Sequence, residues 1–163
     1  MWTTLTVDEG VTVGGGRGEL MGLEEDEARE LNAIAGVLEA LALSVAPAFD
    51  AVGIGQLRMA GMHFRWSAGD ASSLAIADHD FHSRLVERCG DERLLDTLAP
   101  VREALYRWQI RLDPDPHEVA RAAREHDAIV DALAGGDHVT AARLVREHVA
   151  GGLPGLLGAL DGR

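Results

Sequence analysis

From residue 70 onward an aspartate heads almost every apolar segment, and a glycine or proline closes it. Asp70, Asp91, Asp115 and Asp137 each precede a run whose apolar residues recur at three- and four-residue spacing. Gly90, the Asp113-Pro114-Asp115-Pro116 stretch and the Gly135-Gly136 pair divide those runs. An aspartate so placed accepts hydrogen bonds from the free N–H groups of a helix's first turn, whereas glycine and proline stop helices. The spacing is that of helices with one buried face, and it leaves little room for strands.

The pattern predicts helices over 24–45, 48–62, 70–89, 91–112, 116–134 and 137–151, with a short final helix over 154–160. Pro47 ends the first, whose buried face is read as Leu31, Ile34, Leu38, Leu41 and Val45. Pro100 falls inside the fourth, where a proline removes a hydrogen bond and kinks a helix. Residues 1–22 differ: two β-prone runs at 3–7 and 11–13 flank Asp8-Glu9-Gly10, followed by Gly14, Gly15, Gly16 and Gly18. The expected organisation is an arm or β-hairpin over 1–22, then one domain over 23–163. That domain is all-α, an antiparallel bundle of six or seven helices.

Composition narrows function. With 27 acidic against 15 basic residues and a net charge of −12, the chain has no basic surface to displace counterions from nucleic-acid phosphates or to meet an anionic membrane. Its most apolar stretch, 34–49, is broken by Glu39 and Pro47 and cannot span a bilayer. A single cysteine, Cys89, excludes an internal disulfide and fits a reducing cytoplasm. Aromatic residues make up only 4%, so the core is built from Leu, Ala and Val.

The chemistry-bearing residues are few. Asp78 and His82 are four apart and share one face of a helix, and His126 and His148 flank the Gly135-Gly136 turn at similar height on antiparallel helices. Taken singly, Asp-x-x-x-His also fits a solvated surface pair, and each later histidine fits an ordinary surface or core residue. Together, one carboxylate and three imidazoles form a ligand set for a divalent metal, with zinc, nickel, manganese and iron all suited. His63, His117 and His138 are read as exposed. His79 points about 100° away from Asp78 and belongs at most to a pocket rim.

Several motifs bear a family likeness: V-L-E at Val37–Glu39, D-H-D-F-H at Asp78–His82, E-H-D-A-I-V-D-A-L at Glu125–Leu133, G-D at Gly136–Asp137 and R-E-H-V at Arg146–Val149. Over roughly residues 24–150 the chain resembles the FCD domain, the all-helical effector-binding half of many GntR-type transcription regulators. The resemblance implies a bundle of six or seven helices, a homodimer, metal ligation by Asp78, His82, His126 and His148, and a cavity for a small carboxylate that coordinates the metal. Such domains often carry an arginine three residues before the Leu-Glu pair of the first helix, where this chain has Ala35. Arg107 and Arg111 are then the candidate cations for an anionic ligand. GntR-type regulators also carry a winged helix-turn-helix before this domain, and residues 11–22 bear only a short likeness to its last strand and linker.

Three functions fit this reading: an effector-sensing domain that signals to a DNA-binding unit, a metalloenzyme on the same fold with Glu125 or His79 as general base, and a subunit that pairs with a full-length regulator.

Overall fold

The computed structural model describes residues 17–161, with side chains described over 25–152. Six helices make up the described residues: α1 (Arg17–Val45), α2 (Ala51–Trp66), α3 (Ala71–Val86), α4 (Glu92–Gln109), α5 (Pro116–Ala134) and α6 (His138–Asp161). The hairpin expected at 3–13 lies outside the described residues, and α1 already begins within the expected arm.

The aspartate punctuation acts as read. Asp70 accepts from the Ser73 N–H at 2.7 Å, Asp91 from Arg93 and Leu94, Asp115 from His117, and Asp137 from Thr140 at 2.9 Å. Asp50 does the same for α2, accepting from Gly53 at 2.8 Å, which moves that helix's start past the expected residue 48. Between α5 and α6, Gly136 adopts φ of +76°, a conformation that needs glycine. The Asp137 N–H then reaches back to the Ala132 carbonyl at 2.9 Å and closes the turn.

Two expectations about helices fail. The first is the stop at Gly151-Gly152: α6 continues to Asp161, and no seventh helix is separate. Side chains from other helices hold its carbonyls across the expected break. Asn32 of α1 donates to the Val149 carbonyl, and Arg121 of α5 to the Gly151 carbonyl at 3.1 Å. Tertiary contact there outweighs weak helix propensity.

The second is the buried face of α1. Ile34, Leu41 and Val45 are exposed, as is Val37, while Ala28, Asn32, Ala35, Gly36, Glu39, Ala42 and Leu43 are buried. Small residues win because α1 approaches α6 closely: a Cβ on Gly36 would lie 3.4 Å from Val149 Cβ.

The helices form a closed ring. Each packs on two neighbours in the order α1, α4, α3, α2, α5, α6 and back to α1, with a lesser contact between α1 and α3. The main core fills one part of the interior around Leu43, Leu57, Phe81, Leu85, Leu105, Ile129 and Val145. A separate small cluster of Phe64, Leu74, Ala77, Val119 and Ala123 lies elsewhere. No helix among the described residues is long and apolar enough to cross a membrane.

Candidate metal centre

Asp78 and His82 project from successive turns of α3, His126 from α5 and His148 from α6, and their ligand atoms all lie within 4.8 Å of one another. The three histidines are buried. His148 Nε2 is 3.3 Å from His82 Nε2 and 3.1 Å from His126 Nε2. Asp78 Oδ1 is 3.7 Å from His82 Nε2 and 3.5 Å from His126 Nε2.

The opposite edges of two rings are held by carboxylates. Glu39 of α1 faces His82 Nδ1 at 2.6 Å, and Glu125 of α5 faces His148 Nδ1 at 2.7 Å. A neutral imidazole carries one N–H, and a carboxylate partner draws it to Nδ1. Both Nε2 atoms then present lone pairs to each other at 3.3 Å, which is repulsive unless a cation lies between them. Ligands about 2.0–2.1 Å from a common ion are separated by about 3.0–3.4 Å, which the two imidazole–imidazole distances match, while Asp78 stands slightly farther out at 3.5 and 3.7 Å. The donor set fits a divalent metal on both grounds. Asp78 is fixed from behind, its Oδ2 facing Gln109 Nε2 at 3.4 Å and Arg102 at 3.7 Å.

Burial lowers the His126 pKa well below its ordinary value; His148 adds to this and Asp78 opposes it. Burial also lowers that of His82, with Arg102 adding and Glu39 and Asp78 opposing. Both therefore remain neutral, as metal ligands must. Burial alone would raise Asp78, but His82, Arg102 and His126 overcome it and hold the carboxyl well below the usual range. Glu39 behaves alike: burial raises it, His82 and Arg102 outweigh burial, and the group stays charged.

Sequence reasoning missed Glu39 and Arg102. Glu39 is fully buried, yet in the sequence it reads as part of the V-L-E motif and as the residue that interrupts an apolar stretch, with no role at the site. That interruption was the signal. Arg102 is 8% exposed and likewise stands within the apolar stripe of Leu98, Leu105 and Trp108 on α4. It lies 3.3 Å from Glu39. Arg107 instead sits outside with Glu103 at 3.1 Å, Arg111 is exposed, and neither lines the cavity beside the metal ligands. His79 also lies outside that cavity, its ring 5.4 Å from that of Tyr106. His63 and His117 are exposed as expected, whereas His138 is half-buried.

The cavity opens from Asp78, His82 and His148 and has a volume of about 90 Å³. Its wall is mostly apolar, with Arg102 at the metal-ligand end and Glu118 and Arg121 farther along.

The FCD domain family matches residues 30–151. No curated protein sequence matches the chain. Among solved structures, a transcriptional regulator (GntR family member) from Pseudomonas syringae pv. tomato str. DC3000 superposes with a TM-score of 0.66 at 14% identity. The match covers 84% of this chain and 58% of the regulator, so the chain spans little more than half of that protein's length. At that identity the likeness speaks for the fold. The helical ring, the four convergent ligands and the match over residues 30–151 agree: this chain belongs to the FCD domain family.

Proposed function

We propose that this protein is a metal-dependent sensor of a small carboxylate, the effector-binding part of a GntR-type regulatory system. The carrying observation is the convergence of Asp78, His82, His126 and His148, with Nδ1 of two imidazoles held by carboxylates. Four protein ligands leave a six-coordinate ion two open positions for a bidentate carboxylate, and the adjoining cavity gives that ligand space. A bound effector shifts the helices only as far as it prefers one arrangement over another, and that shift would pass to a DNA-binding unit.

A metalloenzyme is the second reading. It is weakened because Glu125 is engaged with His148 and Arg121, and His79 is outside the cavity. A cytoplasmic homodimer fits the single cysteine and the apolar stripe of Ile34, Val37, Leu41 and Val45, each about half exposed on α1.

Elemental analysis of the purified protein beside His126→Ala and His82→Ala tests the metal. One ion per chain, lost in both variants while helical content is kept, is expected. Full metal occupancy in either variant would overturn the ligand assignment. Calorimetry and product analysis with small carboxylates on the metal-loaded protein then separate binding from turnover.

A further inference from the structure

The cavity's shape and the commitments of its polar groups say which carboxylate it takes, an inference that rests on the sensing role above. From the metal ligands the wall runs toward the start of α3 and α5: Asp78 is followed by Leu74 and Ala71, and Val119 lies seven residues before His126. Seven helical residues span about 10 Å. Along that length the wall is apolar, formed by Phe64, Leu74, Leu112, Val119, Ala122 and Val149. A volume of about 90 Å³ is well above the roughly 10–15 Å³ that holds one water and admits a small organic acid.

The polar side chains in the wall are mostly engaged already. Asn32 donates to the Val149 carbonyl, and Gln109 to Asp78. Arg121 donates to Glu118, Glu125 and the Gly151 carbonyl, so a second ligand carboxylate there would find committed donors beside two acidic groups. Arg102 differs. It lines the cavity and is almost fully buried. Its loose contacts with Glu39 and Asp78, at 3.3 and 3.7 Å, leave it able to receive an anion beside the metal ligands.

We infer that the ligand is a short monocarboxylate with an unsubstituted hydrocarbon body, its carboxylate shared between the metal and Arg102. Hydroxylated acids are disfavoured because a hydroxyl facing the apolar part of the wall loses its water without gaining a partner, which costs about tenfold in affinity, and the polar side chains between are already engaged with one another. Dicarboxylates are disfavoured by the Glu118–Arg121–Glu125 cluster.

The test is calorimetric titration of butanoate, hexanoate, succinate and gluconate into protein carrying one equivalent of the metal found by elemental analysis. Butanoate and hexanoate should bind at least about tenfold more tightly than either competitor. Succinate or gluconate binding as tightly would overturn the inference and leave the carboxylate-sensing role standing. Failure of every carboxylate to bind the metal-loaded protein would overturn both. Arg102→Gln should keep its metal and lose at least about tenfold in butanoate affinity; unchanged affinity overturns the role of Arg102. Since Arg102 is buried and its variant can fail to fold, Ala122→Phe provides a second reading. It fills the cavity from the half-buried face of α5 and should abolish hexanoate binding with metal content intact, and undiminished binding there would place the ligand elsewhere.

Discussion

Replacing Glu39 by Gln isolates the charge of the one fully buried carboxylate at the metal centre. Glu39 Oε2 holds His82 Nδ1 at 2.6 Å and Oε1 lies 3.3 Å from Arg102, so one group orients a ligand imidazole and balances the adjacent cation. Glutamine keeps the volume, and its carbonyl can still accept from the imidazole N–H. Its amide then turns two donors toward the Arg102 guanidinium, which has donors alone, and His82 loses the negative partner that makes it a stronger base. Removing such a partner lowers metal affinity by about 10- to 100-fold, or about 1.4–2.8 kcal/mol. Full burial and the donor clash place this substitution near the upper end. Glu125→Gln is the matched control: that carboxylate plays the same part for His148, but its side chain is 33% exposed, so water compensates and a loss of about tenfold is expected. Competition against a chromogenic chelator at pH 7.5 measures both, with circular dichroism confirming equal helicity. An affinity for Glu39→Gln within about twofold of the parent, or a larger loss in Glu125→Gln, would refute the reasoning.

Acid should destabilise the metal-free protein in two stages. His82 and His126 have pKa values below the ordinary 6.5, so the unfolded chain takes up protons that the folded site refuses, and stability present above about 6.5 is lost on acidification. Glu39 and Asp78, also depressed, extend the loss below about 4.5. The urea midpoint should fall steadily from pH 7.5 to 4, and a rise between pH 7 and 5 would contradict this; acid should release metal only below the ordinary histidine range. Phe81→Ala should cost about 3–5 kcal/mol by urea unfolding, because Phe81 is fully buried with its ring stacked 3.8 Å from that of His126. A cost below about 1 kcal/mol would mean the site collapses freely. Leu41→Glu should convert a dimer to monomers in sedimentation, whereas Trp66→Glu, on the exposed face of α2, should not. The reverse would move the interface to α2.

The elements that local chemistry specifies were legible in the sequence. Aspartate caps at 70, 91, 115 and 137 gave helix starts, because a cap needs only its own first turn. The four metal-ligand candidates were legible for a related reason: spacing within α3 and symmetry about the Gly136 turn place them with no knowledge of distant contacts. What failed depended on partners far along the chain. The carbonyls that carry α6 past Gly151-Gly152 are held by Asn32 and Arg121, and α1 buries Ala35 and Gly36 because α6 comes close there. Glu39 and Arg102 escaped notice because a charge within an apolar stripe reads as an interruption until its partner is known. Arg107 and Arg111 were named as candidate cations because Ala35 stands where related domains often carry an arginine, and in the structure Arg107 pairs with Glu103 while Arg102 is the arginine that lines the cavity.

In the proposed sensor the four ligand candidates bridge helices whose backbones are not all adjacent. Among the described residues the backbone of α3 lies against α2, α4 and α1, and α3 meets α5 through side chains, Leu74 and Ala77 clustering with Val119 and Ala123, and Phe81 stacking on His126. Yet α3 supplies Asp78 and His82, while α5 and α6 supply His126 and His148. A metal held by the four residues would add a direct tie between α3 and the α5–α6 pair to the side-chain packing already there. An anion on Arg102 would extend the tie to α4, and α1 touches each part, through Glu39 to His82 and Arg102 and through Asn32 to α6. Any arrangement that draws α3 away from α5 and α6 loses ligands from the metal and, with them, the affinity for the carboxylate. In the proposed sensor, binding and the closed ring would be linked reciprocally, with a coupling as large as the affinity difference between the two arrangements.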